Sequence, residues 1–402
     1  MRLGKFLNSK PASPKIFILL TVLTEVIMGG MLFPITPYFV ERFRSDAFTI
    51  GLLASTFATA QFIAAPVLGA LSDRIGRRPI LLMSTAGSSL ASYIFGFANA
   101  LWLLFLSRIF NGLTGGVIST AQAYLVDISE SEQERTKNFG LIGATLGLGF
   151  ILGLALGGSL GAINIKLPIF FAGTVALMNT IFGYYHLKES LIHKIEKPIR
   201  ITNLNPFTHL AELLRRNQVR NLLLGLFIYK FAFIGCTKIS VIFLRDRFGW
   251  DPIQAASLFV VAGIVSAVVQ GVLIRKIVPI FGEMKVALTG LLFFSVALVL
   301  IPLAPFGILL YGIQVTLALG DGLAFPSLQG LLANSVAEQE QGKINGGSES
   351  LMSLGIMLAP LISTFSYDRL GMEAPFWGAT LLVLLAIVVI VQNRSAMKSA
   401  SP

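Results

Sequence analysis

Residues 69 to 81 read GALSDRIGRRPIL, one acid and three arginines set between two long apolar stretches. Glycine at 69 and at 76 permits a tight reversal, because glycine enters backbone regions closed to other residues. Asp73 is suited to cap a neighbouring helix N-terminus, where the helix dipole favours an anion. Arg74, Arg77 and Arg78 add positive charge, and Arg77 and Arg78 call for acidic partners or lipid phosphates. The stretch reads as a short charged turn, and what it joins decides the fold.

What it joins is apolar almost throughout. The chain has 402 residues, of which 54% are hydrophobic and 13% charged, and its mean hydropathy is +0.78. Such a composition leaves too few polar residues to clothe a water-soluble fold of this size, so lipid is the solvent for most of the chain. Apolar segments recur that are long enough to cross a hydrocarbon layer of about 30 Å as helices. Twelve are read, at 16 to 40, 48 to 71, 79 to 98, 101 to 126, 137 to 160, 167 to 187, 219 to 244, 253 to 274, 285 to 303, 306 to 334, 344 to 366 and 374 to 392. The first follows Arg2, Lys5, Lys10 and Lys15, but it is too long for a signal peptide and lacks a convincing cleavage site. It is read as an uncleaved span.

The formal charge of +11 would suit nucleic acid in a soluble protein, but here its distribution gives another meaning. With an even number of spans and the N-terminus inside, most of the 31 Lys and Arg fall in cytoplasmic segments, as the positive-inside rule requires. Both termini are therefore expected in the cytoplasm, and no nucleic-acid partner is expected. Cys236 is the single cysteine, which excludes an internal disulfide, and His186, His193 and His209 fall at or beyond the end of the sixth span. No metal site is expected.

The longest polar stretch, 188 to 218, separates six spans from six. The expected organisation is an N-terminal bundle over 1–187, a cytoplasmic linker over 188–218 and a C-terminal bundle over 219–402. Apolar positions at helical spacing in NPFTHLAELLRRNQVRNLL fit either a helix on the inner membrane surface or a plain tether. The halves repeat each other. SDAFTIGLLASTFATAQFIAAPVLGAL from 45 aligns with WDPIQAASLFVVAGIVSAVVQGVLIRK from 250, matching Asp46 to Asp251, and DISESEQERTKNFG (127–140) aligns loosely with SVAEQEQGKINGG (335–347). Parallel repeats of this kind are a transporter architecture, with a cleft between the bundles.

The turn at 69–81 resembles, position for position, the G-x-L-x-D-R-x-G-R-R-x-x-L signature of the major facilitator superfamily, in the loop where that family carries it. ITPYFV at the end of the first span, DISESEQERTKNFGLIGATLGLGFILGLALGG (127–158) and PSLQGLLANSVAEQEQGKINGG (326–347) are similar to its tetracycline and multidrug proton-antiporter branch. The resemblance implies an all-α membrane fold of twelve helices in two pseudo-symmetric six-helix bundles. It also implies that Asp73 caps the helix beginning near Gly342 to Gly347 and that Arg77 reaches Asp127, a latch between the halves that holds the outward-open state.

Ionisable groups in hydrocarbon are costly, so those that persist tend to face a wet cavity and to be functional. Six lie within the spans away from their ends: Glu25, Arg108, Lys230, Lys238, Asp321 and Glu349. They fall on spans one, four, seven, ten and eleven, and in the resembled fold the first four of those line the central cleft. Glu25, about 15 Å into the first span, occupies the place where the tetracycline exporters carry an acid and is read as the proton-binding group. Arg108 stands at the arginine of the family's fourth helix, available to a carboxylate or to Glu25. Lys230 and Lys238, about 80° apart around a helix, divide between substrate and a partner, Asp321 or Glu349.

LGLGFILGLALGG (146–158) places Gly149, Gly153 and Gly157 on one face, where another helix can approach backbone to backbone. Together with Gly158 they match the antiporter motif G-x-x-x-G-P-x-x-G-G, with Leu154 in place of its proline. The resemblance implies the eighth helix as the close partner.

The functional expectation is proton-coupled efflux of small amphipathic compounds, antibiotics among them, by a monomer in the lipid bilayer of a bacterial inner membrane. An alternative is transport of an endogenous lipid or metabolite, for which two lysines on span seven would suit an anionic group. No G-x-x-x-x-G-K-[ST] sequence appears, and no nucleophile and base share the spans. Neither direct ATP use, nor an enzyme, nor a cofactor beyond the proton is expected.

Overall fold

The structure, a computed structural model, describes residues 14–191, 214, 217–336 and 340–399. The linker amphipathic helix and the N-terminal basic residues expected from the sequence lie largely or wholly outside those residues. Among the described residues all regular structure is helical. In chain order the helices of the first half are α1 (Pro14–Val40), α2 (Ala47–Ile75), α3 (Arg77–Gly96), α4 (Leu101–Leu113), α5 (Val117–Asp127), α6 (Glu132–Ile163) and α7 (Leu167–His186). The second half supplies α8 (Asn217–Phe248), α9 (Pro252–Val268), α10 (Ile274–Phe281), α11 (Glu283–Leu303), α12 (Leu309–Ala333), α13 (Gln341–Leu370) and α14 (Ala374–Ser399).

Eleven stretches among the described residues are long and apolar enough to cross a membrane. The remaining span of the expected twelve is α3, 20 residues long. It falls short in apolar character because it buries Ser84, Ser88, Ser89 and Ser92 against its neighbours. Two spans are interrupted. Thr114, Gly115 and Gly116 separate α4 from α5 within the fourth, and a π-helical turn at Val269–Leu273 joins α9 to α10 within the eighth. Large apolar side chains such as Ile63, Leu90, Val268 and Leu381 remain exposed, as lipid-facing positions of a multi-pass membrane protein do.

Local signals explain several helix starts. Ser131 caps α6 by accepting from the Glu134 amide at 3.2 Å, and Asp251 with Gln254 forms a reciprocal capping box at the start of α9. Asp46, the repeat counterpart of Asp251, accepts from the Thr49 amide at 3.0 Å and from its hydroxyl at 2.8 Å at the start of α2. The two aspartates matched in the sequence thus perform the same capping task.

The chain divides into two compact units, Met1–Ile35 with Thr59–Asn203, and Thr36–Ala58 with Leu204–Pro402. This differs from the expected boundaries of 1–187, 188–218 and 219–402 in that residues 36–58 group with the C-terminal unit. The physical cause is a set of bonds inside that unit. Asp368 accepts from the amides of Ala47 and Phe48 at 3.1 and 2.8 Å, the Tyr38 hydroxyl donates to the Trp250 carbonyl at 2.7 Å, and Arg245 pairs with Glu41 at 3.2 Å.

Each unit repeats one packing scheme. In the N-terminal unit a side chain at Gly153 of α6 would overlap the Ile27 carbonyl and lie 2.9 Å from the Gly30 Cα of α1. In the C-terminal unit the corresponding helices meet where Gly235 of α8 faces Ala359 and Ser363 of α13. Glycines again permit close approach between α11 and α12, where a Cβ on Gly290 would lie 2.7 Å from the Gly320 carbonyl.

Candidate functional site

Glu25 sits on α1 in the N-terminal unit. Its Oε1 accepts from Ser88 Oγ of α3 at 2.9 Å, while Oε2 is buried and without a hydrogen-bond partner among the described residues. Ser88 Oγ also lies 3.4 Å from Asn111 Oδ1 of α4, so a single hydroxyl stands between the carboxyl and an amide. Gln61 of α2 donates to the Gly115 carbonyl at 3.2 Å, a carbonyl left outside the helical ladder by the break between α4 and α5. Neither Ser88 nor Asn111 was among the expected site residues. The serine run STAGSSLAS (84–92) carried the signal, since an interior span has little other reason for so many hydroxyls.

Arg108, one turn before Asn111 on α4, stacks its guanidinium over the Phe95 ring at 4.4 Å from the centroid. No carboxylate lies within ion-pair distance of it among the described residues, so it does not form the direct contact with Glu25 that the sequence left open.

The C-terminal unit gathers a second cluster. Lys230 Nζ of α8 lies 2.8 Å from Asp321 Oδ1 of α12, and the Tyr229 hydroxyl donates to the same oxygen. The ammonium is surrounded by the rings of Phe325, Phe233 and Tyr229, at 3.8, 4.4 and 5.0 Å from their centroids. Asp321 is therefore the partner of Lys230, whereas Glu349 lies on α13 with its side chain exposed. Lys238 is two turns further along α8 and half-buried.

At the inner turn, α2 continues through Gly69 to Ile75, so Gly69 makes no reversal; only Gly76, at φ +121°, does. Arg77, 9% exposed, is held by Asp127 (Nε to Oδ2, 3.1 Å), by Asp73 (2.5 Å) and by Ser72 Oγ (2.6 Å). The acid that caps a helix here is Glu189, just after α7. It accepts from the amides of Arg77 and Arg78 at 2.8 and 3.2 Å, at the start of α3. Arg78 donates to the Tyr184 carbonyl at 2.7 Å, and Arg74 is exposed. The helix expected as a partner for Asp73 belongs to the other unit.

The family model for the Major Facilitator Superfamily matches residues 18–281 and 277–401. The chain belongs to the Major Facilitator Superfamily. Among its relatives, the tetracycline resistance protein, class C, of Escherichia coli is 32% identical over 380 residues, covering 94% of each chain. Multidrug resistance protein 2 of Bacillus subtilis is 28% identical over 379 residues, covering 92% of each. In fold, the chain is similar to a bacterial homolog of the human lysosomal transporter Spinster, with a TM-score of 0.79 at 14% identity over 98% of this chain and 100% of that one.

One expectation drawn from the superfamily is corrected. The face formed by Gly149, Gly153 and Gly157 does not await the eighth span but is filled by α1 of its own unit. Side chains there would meet Leu23 and Val26, then Ile27 and Gly30, then Met31. Gly158 is buried on the same helix, and Leu154, at the proline position of the superfamily's antiporter motif, is wholly buried in an uninterrupted α6. The reason is spatial. A helix with glycine every fourth residue packs closely with whichever neighbour also offers glycine, and Gly30 on α1 does so.

Proposed function

We propose that this chain is a secondary active transporter that exports small amphipathic compounds, tetracycline-like antibiotics among them, in exchange for protons. The observation that carries the reading is Glu25, an acid deep in α1 with a hydroxyl partner on one oxygen and, among the described residues, no hydrogen-bond partner on the other. As a carboxylate, Glu25 accepts from Ser88. As an acid, it donates to Ser88 Oγ, whose own proton then turns to Asn111 Oδ1. Both protonation states thus retain a hydrogen-bonded arrangement, which suits a group that must load and release a proton in each cycle.

The names of the tetracycline and multidrug resistance relatives support efflux as the activity. The case for an anionic metabolite weakens, because Lys230 is neutralised by Asp321 within its own unit. In this reading the protein works as a monomer in a bacterial inner membrane, with both termini cytoplasmic, no cofactor other than the proton and no enzymatic step. Alternating access rocks the two bundles about the substrate, and Asp73 caps the helix near Gly342 when the outer side is open.

Purified protein in liposomes with an imposed pH gradient tests the coupling. Tetracycline flux follows the gradient in the wild type and loses that dependence in Glu25→Gln. Wild-type flux indifferent to the gradient would remove protons from the mechanism.

A further inference from the structure

The cluster around Lys230 is richer than an ion pair requires. Tyr229 and Phe233 are one turn apart on α8, as are Asp321 and Phe325 on α12, so two helices each present a one-turn pair to the same point. Three ring faces and one carboxylate converge on the Lys230 ammonium. The Tyr229 hydroxyl holds the carboxylate in place by donating to the oxygen that Lys230 uses. Aliphatic side chains would fill this volume equally well and leave no attraction for a cation. Aromatic faces with a fixed anion are instead the chemistry that recognises free organic ammonium ions. Phe233, Phe325 and Asp321 each keep partial exposure, 14% for the Asp321 side chain.

We propose that the C-terminal unit contains an organic-ammonium site whose occupant is tethered: Lys230 fills it and thereby bars small organic cations. The binding half of this proposal stands on the cage alone, and the selectivity half rests on the export reading above. Lys230 then acts as a specificity-determining residue, and its removal converts a closed site into a receptive one.

Propylammonium, the fragment missing when lysine is cut back to alanine, is the probe. Binding to purified full-length protein is measured by calorimetry and thermal shift for wild type, Lys230→Ala, Lys230→Ser and Lys230→Met. Two truncations are included so that a folding failure of one leaves the other to decide. Propylammonium is expected to bind and stabilise the truncated variants, but neither the wild type nor Lys230→Met, whose side chain still fills the cage. Adding Asp321→Asn to the truncation weakens binding at least tenfold. In liposomes, tetramethylammonium flux rises at least tenfold in the truncated variant over wild type. The proposal is overturned if wild type and truncations respond alike, if neither truncation responds, or if Asp321→Asn leaves the affinity unchanged. Because binding is read without transport, a failure there leaves the export reading intact, and a failure of proton-driven tetracycline flux leaves the cage intact.

Discussion

The two units build the same inner turn from different chemistry. In the N-terminal unit, Gly76 reverses the chain at φ +121° and Arg77, the first residue of α3, pairs with Asp127 at the end of the fourth span. In the C-terminal unit, Gly282 reverses it at φ +79° and Glu283, the first residue of α11, accepts from Asn334 Nδ2 at the end of the tenth, at 3.2 and 3.3 Å. The spacing differs by one residue, thirty from Asp46 to Gly76 against thirty-one from Asp251 to Gly282. The π-helical turn at Val269–Leu273 takes up that residue within the eighth span. A turn of this shape therefore needs a glycine and one polar contact. The charges of Asp73, Asp127 and Glu189 around Arg77 exceed what the backbone demands, and that surplus is what a regulated contact would use.

The two turns differ most at Arg77. Arg77→Ala leaves Asp127 and Asp73 without their buried counter-charge and is expected to destabilise the protein by about 3–5 kcal/mol. Glu283→Gln should cost under about 1 kcal/mol, since the contact is partly exposed and remains a hydrogen bond. Unfolding in detergent, followed by denaturant titration, reads both; equal losses would show the two turns to be energetically alike.

Next in size is the close helix crossing. Gly153→Ala drives a methyl into the α1 backbone and is expected to cost about 1–3 kcal/mol as overpacking. Gly235→Ala, whose Cβ would stand 3.3 Å from Ser363 Cβ, should cost less than about 1 kcal/mol. Thermal midpoints of the two variants rank the crossings, and a reversed order would mean that the C-terminal crossing is the tighter.

A finer test lies in the turn glycines themselves. Gly76→Ala adds a side chain at positive φ and collides with the Glu189 carboxylate, so about 2 kcal/mol is expected. Gly282→Ala has strain but open space, and about 1 kcal/mol is expected. Glu189→Gln in the Gly76→Ala background should recover little, because the glutamine side chain occupies the same volume.

The smallest effect concerns the paired caps. Burial pushes the Asp46 carboxyl up, but bonds from Thr49 and the nearby Arg44 guanidinium outweigh it and hold it below the usual range. Its stabilising contribution is thus complete above about pH 4 and fades only as the pH falls through the lowered folded value. Asp46→Asn is expected to lower the thermal midpoint by a small constant amount above about pH 4 and to converge with wild type as the pH falls through the lowered folded value, as read by thermal midpoint against pH. A deficit that persists undiminished at low pH, or none at neutral pH, would contradict that assignment.

Much of this was legible beforehand because it is one-dimensional. Span length, the alternation of apolar and charged stretches and the duplication of Asp46 in Asp251 are all local in the chain, and the charged turn matched a known signature residue by residue. Less legible were contacts chosen between distant segments. Glu189 caps α3 from beyond α7, a role the sequence offered to Asp73 instead. Ser88 and Asn111 became partners around Glu25 only when α1, α3 and α4 were brought together. The residues 36–58 joined the C-terminal unit through Asp368, more than three hundred positions away.

That lipid is the solvent, that helices are the response and that the chain is two related halves could be read from the order of amino acids alone. Those conclusions follow from the cost of bare backbone in hydrocarbon and from composition, which no packing arrangement alters. Tertiary structure alone decided which helix fills the glycine face of α6, which carboxylate meets Lys230 and which rings enclose it. Such choices depend on the relative placement of whole helices, where several partners are chemically adequate and only distance selects one.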